Sequence, residues 1–190
     1  MKNSEYTYDY FLTAFEQARD TAKELTESVS EDVYLKKPSE DKWCMGEILS
    51  HLVQAGNEYL PQIQKGLNKP DDQLKRGGEP FTPNFFFRWF IKIVSPEYKR
   101  EVPTVKSFEP KQADKIDKEK VLADFITLQD ELISILKRCK LEQLNLDRIK
   151  TRNPIVKLVP MSLTACFAIQ EAHQRRHFEQ MRDLKKRFSF

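Results

Sequence analysis

Glycine is scarce in this chain, five residues in 190, and the long segments between them repeat their apolar residues at helical rather than alternating spacing, so a mainly α fold is expected. Cysteine is scarcer still and odd in number. Cys44, Cys139 and Cys166 are widely separated, which argues against a disulfide framework and for a reducing, cytoplasmic compartment. Long apolar runs are missing: the longest, Phe85 to Val94, is interrupted by Arg88 and Lys92 and is too short to span a bilayer. The opening MKNSEYTYDYF has no apolar core of the kind an export signal requires. Neither membrane insertion nor export is expected. An excess of one charge is also missing, with 32 basic against 29 acidic residues and a balance of +3, interspersed along the chain. That excludes the basic footprint of a nucleic-acid binder, and no nucleic-acid partner is expected.

What is present is a set of amphipathic stripes. From about Ser4 to Ser28, Tyr8, Phe11, Leu12, Phe15, Ala18, Ala22 and Leu25 fall on one face, the pattern of a bundle helix. A connector over Val29 to Lys42 leads to a second helix. There Glu47 follows Cys44 by three residues, the capping-box spacing, with Trp43 and Ile48 placed as a hydrophobic staple. Cysteine is a poor N-cap, so a half-built box is expected. The stripe Ile48, His51, Leu52, Ala55, Tyr59 and Ile63 carries this helix toward Leu67, and Pro61 predicts a kink or an early end.

Residues 68–116 hold Gly77-Gly78 and six prolines with no sustained period, far more than an ordinary helix-to-helix turn. One short helix is expected inside this stretch, Asn84 to Val94, with an aromatic surface that needs covering. Asp117 is placed to cap a third long helix reaching about Lys137, and Ser162 a fourth reaching about Arg187. The expected fold is therefore an all-α four-helix bundle of one domain over residues 1–190, with a long crossover between its second and third helices.

Histidine is as rare as cysteine, three in the whole chain. His173 and His177 stand four apart on the inward stripe of the fourth helix with Leu163, Cys166, Gln170, Met181 and Leu184. Residues so spaced lie one above the other and are able to close on a single cation. The remaining histidine, His51, lies on the inward stripe of the second helix. On the residues alone two readings stay open: hydrogen-bonded core imidazoles, or three ligands of one metal ion. Three buried neutral rings leave several ring nitrogens needing partners, at about 1–3 kcal/mol for each one unsatisfied, and a metal would satisfy them together. Glu47 fits two roles equally, a helix cap or a general base one turn before His51, and Gln170 and Glu47 are both placed to orient ligands. Cys166, too distant from His173 to share an ion, reads as core, as does Trp43. The Phe85 to Phe90 cluster reads as packing or as the seam of a homodimer.

The segments WCMGEILSHL, from Trp43, and HQRRHFEQM, from His173, resemble the DinB/YfiT-like superfamily of metalloenzymes, with its W-x-x-x-E-x-x-x-H-L on the second helix and H-x-x-x-H on the fourth. The resemblance runs through VPTVKSFEP before the third helix and NPIVKLVPMSLTA before the fourth, and so covers nearly the whole chain. It implies a divalent metal, nickel or zinc, held by His51, His173 and His177. It also implies a small-molecule substrate, with metal-assisted hydrolysis or transfer involving a low-molecular-weight thiol cosubstrate as the expected chemistry. Relatives similar in this way include thiol-dependent S-transferases and a maleylpyruvate isomerase. Two departures stand out: Cys44 replaces a hydroxyl residue at the helix start, and residues 68–101 are long and aromatic. A non-catalytic metal- or ligand-binding bundle is the alternative.

Overall fold

The computed structural model describes residues 6–156 and 158–188. Its helices are α1 (Tyr8–Glu27), α2 (Glu31–Tyr34), α3 (Met45–Leu67), α4 (Phe85–Val94), α5 (Lys118–Leu141) and α6 (Leu163–Arg187); β1 (Lys150–Arg152) pairs antiparallel with β2 (Pro160–Ser162). The four long rods α1, α3, α5 and α6 form a bundle in which α1 and α3 each pack on both α5 and α6.

Most helix starts are set by a side-chain acceptor. Thr7, Asn84, Asp117 and Ser162 each accept from the backbone N–H three residues on, satisfying a donor that the first turn leaves open. The start expected at Ser4 lies outside the described residues, and α1 begins at Tyr8 because Thr7 caps it. The box at α3 is complete rather than half built. Cys44 Sγ accepts from Glu47 N–H at 3.4 Å while Glu47 Oε2 accepts from Cys44 N–H at 3.0 Å.

Pro61 does not end the helix early, since α3 continues to Leu67. Both Pro61 and Asn57, whose carbonyl loses its partner, lie on the exposed face, where water can replace the missing N–H. The third long helix runs to Leu141, a turn beyond the apolar stripe. Two short elements, α2 and the β1–β2 pair, carry no period of their own in the sequence.

The directions of the rods explain the long crossover. Ion pairs Arg19–Asp130 and Asp9–Lys140 make α1 and α5 antiparallel. On α3, Gly46 sits against Ile116 and Gly56 against Leu128, so α3 and α5 run parallel. A parallel neighbour is reached only by travelling back along α3, whose 23 residues span roughly 35 Å at about 1.5 Å each. Residues 68–117 make that return, with α4 laid on α6 and a 3-10 turn at Lys106–Phe108 laid on α3.

The core falls into two apolar clusters. One gathers Phe11, Phe15, Ile63, Leu132, Phe167 and their neighbours, the other Leu25, Tyr34, Leu49, Phe125, Met181 and theirs. Polar residues His51, Gln129, Gln170, Gln174 and His177 are buried between and beside them. Among the described residues no helix is long and apolar enough to cross a membrane.

Candidate metal centre

The three histidines meet. His51 projects from α3 and His173 and His177 from adjacent turns of α6, and one ligating atom from each lies within 4.8 Å of the others. His173 Nε2 is 3.1 Å from His51 Nε2 and 3.0 Å from His177 Nε2. For comparison, tetrahedral ligands at about 2.0–2.1 Å from a zinc ion stand roughly 3.3 Å apart.

The outer nitrogens decide what the inner ones carry. His51 Nδ1 lies 2.5 Å from the Phe108 carbonyl oxygen and His177 Nδ1 2.7 Å from Gln180 Oε1. Both partners are acceptors, so both Nδ1 atoms carry the proton and both Nε2 atoms present bare lone pairs. His173 Nε2 can donate to one of them at most. The three inward nitrogens therefore hold at most one proton among them, an arrangement that a cation at their centre satisfies and that neutral protein groups do not.

Protonation of the rings is disfavoured for the same reasons. Burial lowers the His51 pKa, opposed by the Phe108 carbonyl. Burial and the nearby His51 take His177 down to about 3, against the pull of Gln180. His173 is held well below the usual imidazole value by burial, then by His177, His51 and Arg176. All three are neutral near pH 7, the state in which imidazole ligates.

The cluster sits in the wall of an open cavity of about 740 Å³ lined by α3, α4, α6, the crossover and the connector before α3. Trp43, half-buried, lays its ring 4.8 Å from that of His51 and 6.2 Å from that of His177; it lines this cavity instead of serving only as core. Arg176, next to His177, donates to the carbonyls of Ser95, Tyr98 and Arg100 at 3.1, 2.5 and 2.7 Å, which ties the crossover to the histidine helix.

The other residues singled out in the sequence are placed as follows. Glu47 keeps its carboxylate at the start of α3, on Cys44 N–H and at 3.2 Å from Lys37 Nζ. Gln170 lines the cavity one turn before His173. Cys166 is fully buried, and burial raises its thiol pKa. Within the aromatic segment Phe87 is buried and Phe90 faces the cavity, while Phe85, Phe86 and Trp89 are exposed. Sequence reasoning missed Gln180 and the Phe108 carbonyl. The first was findable, three residues after His177 on one helix face; the second is a backbone atom with no side-chain signal.

A bundle of four rods with a long parallel crossover and three histidines converging on one cavity wall defines a helical class with three imidazole nitrogens gathered at one point. The chain belongs to the DinB superfamily, whose family model matches residues 14–181. Among solved structures it is similar to YfiT from Bacillus subtilis, described as a probable metal-dependent hydrolase with an unusual four-helix bundle topology. That match has a TM-score of 0.63 at 14% identity and covers 96% of this chain and 88% of that one. A search of the curated proteins found no match.

Proposed function

We propose that this protein is a metal-dependent enzyme acting on a small molecule, with His51, His173 and His177 holding a divalent nickel or zinc ion. One observation carries the reading: three Nε2 atoms converge while the Nδ1 atoms of His51 and His177 are tied to oxygen acceptors. Three neutral nitrogens leave coordination positions open, as catalytic sites do. A divalent ion held there supplies Lewis acidity, polarising a carbonyl or lowering the pKa of water or a thiol.

The chain's own residues do the rest. Phe108 and Gln180 fix the tautomers, Trp43 shields two rings from solvent, and Arg176 holds the crossover over the cavity. Hydrolysis or transfer to a low-molecular-weight thiol is the reaction class. The three buried free cysteines suit a reducing, cytoplasmic setting. A homodimer sealed through the exposed aromatics of α4 belongs to the same reading.

Metal analysis of protein purified without added ions, beside His51→Ala and His173→Ala, tests it. About one equivalent in the parent and loss in both variants is expected; metal retained in both removes these residues as ligands. A second reading, a non-catalytic binding bundle, draws on Glu47, whose carboxylate is committed to Cys44 and Lys37 and so is not a free base beside the histidines. Turnover of ester, amide or thiol-transfer substrates by the loaded protein decides between the two.

A further inference from the structure

One side of the cavity is covered by a layer a single chain thick. Glu101, Val102, Pro103, Thr104 and Val105 all line it, yet the first three are exposed to solvent and the other two are half-exposed. This strap belongs to no helix or strand. The backbone N–H groups of Glu101, Val102, Thr104 and Val105 make no hydrogen bond to the backbone of any described residue, so little along its length resists lifting.

Both ends are pinned, and each pin comes from the histidine cluster or from beside it. At the near end Arg176, next in the chain to His177, donates to the carbonyls of Tyr98 and Arg100 at 2.5 and 2.7 Å. At the far end His51 Nδ1 donates to the carbonyl of Phe108 at 2.5 Å. A third link, Lys42 to Glu101, joins two exposed side chains, and such pairs contribute little. The two strong pins answer to different things. The Arg176 guanidinium is a permanent cation, and its bonds are charge-assisted in every state. The His51 bond depends on what its ring holds. In metal-free protein the ring is neutral and the bond ordinary; with Nε2 on a cation the ring cannot turn, and its Nδ1–H is a stronger donor.

We propose that residues 101–107 are a lid over the cavity whose closure is tightened by metal binding at the histidine cluster, through the His51–Phe108 bond, while Arg176 clamps the other end at all times. The inference rests on the proposed function, since it describes how that same centre governs access to its own cavity. With the cluster occupied, the strap is held down as a side wall of the cavity. With it empty, the strap lifts more readily at the Phe108 end and opens a way to the histidines. Such a coupling acts in both directions, so a lifted strap also loosens the hold of the cluster on its ion.

Limited digestion with trypsin reads the lifting of the strap, because the exposed Arg100 and Lys106 flank it and cleavage of a folded chain requires local opening. Parent, His173→Ala, Arg176→Gln, Arg176→Lys and Lys42→Gln are digested with and without zinc. Cuts after Arg100 and Lys106 are identified by mass, and zinc content is measured on the same samples. Zinc is expected to slow these cuts in the parent roughly fivefold to tenfold. It should leave them unchanged in His173→Ala, which keeps the His51–Phe108 bond but lacks the complete cluster. Without zinc, Arg176→Gln should be cut roughly tenfold faster than the parent, and Arg176→Lys should not restore the parent rate, since one ammonium cannot serve the same carbonyls. Lys42→Gln should stay within about twofold. One equivalent of zinc with unchanged cleavage of the parent overturns the coupling and leaves the metal centre standing; so does equal slowing in His173→Ala. Cleavage of Arg176→Gln at the parent rate removes the clamp. Should that variant not fold, the parent and His173→Ala decide the coupling on their own. A parent that takes up no zinc removes the proposed function and the coupling together, a failure seen in the metal content before any digestion.

Discussion

The Nδ1 atom of His51 lies 2.5 Å from the carbonyl oxygen of Phe108, 57 residues further along the chain. A backbone atom of the crossover thus sets which face of an α3 imidazole carries its proton. With His177 held by Gln180 in the same way, both rings are expected as the Nδ1–H tautomer in metal-free protein. Long-range ¹H–¹⁵N spectra of ¹⁵N-histidine protein at pH 7.5 read this directly. An Nε2–H pattern at both residues would contradict the geometry, and Gln180→Leu should release His177 alone.

Acid should destabilise the metal-free fold well above the carboxylate range. His177 has its pKa lowered to about 3, against about 6.5 in an unfolded chain. Between those values the unfolded state binds the extra proton, so stability is full above about pH 6.5 and falls as pH drops toward 3. At pH 5 the loss from this residue alone is about 2 kcal/mol. Urea unfolding at pH 7.5 and pH 5 should show it, with a smaller difference in His177→Gln. A flat profile in the parent would mean that the ring is not buried neutral.

Gly56 packs directly against Leu128 of α5. A Cβ there would lie 2.1 Å from Leu128 Cδ2 and 3.0 Å from its Cδ1 and Cγ, so a small rotation of the leucine does not clear it. Gly56→Ala should cost about 1–3 kcal/mol in denaturant unfolding. Combined with Leu128→Ala the cost should be well below the sum of the two single changes. Additivity would place the clash elsewhere.

Cys44 works as a cap and not as a nucleophile. It is fully buried, and its thiol pKa is raised by burial. Cys44→Ser should keep the melting temperature within a few degrees, since oxygen accepts better than sulfur, while Cys44→Ala should lose about 0.5–1 kcal/mol. Rapid alkylation of Cys44 in native protein would contradict this role.

The rods and the histidine pairing were legible because both depend on period. His51, His173 and His177 each sit on an inward stripe, and a stripe says which residues face the interior. What period cannot carry is the surface context of one residue or the path of a backbone. Pro61 breaks helices as a rule, yet the rule presumes that the orphaned carbonyl is buried, and here Asn57 is exposed. Trp43 reads as apolar ballast until the fold sets its ring against two imidazoles. The Phe108 carbonyl belongs to a 3-10 turn with no repeat at all. The capping spacing of Cys44 and Glu47 was visible, and only the prejudice against sulfur as an acceptor hid that the box closes.

The division of the interior into two greasy halves has a bearing on how such a protein evolves. Each half knits several rods together on its own side of the imidazoles, so the layer between them carries little of the burden of keeping the rods assembled. Substitutions in that layer are expected to change its polar character at modest cost to the assembly of the rods, whose outline the two apolar halves maintain.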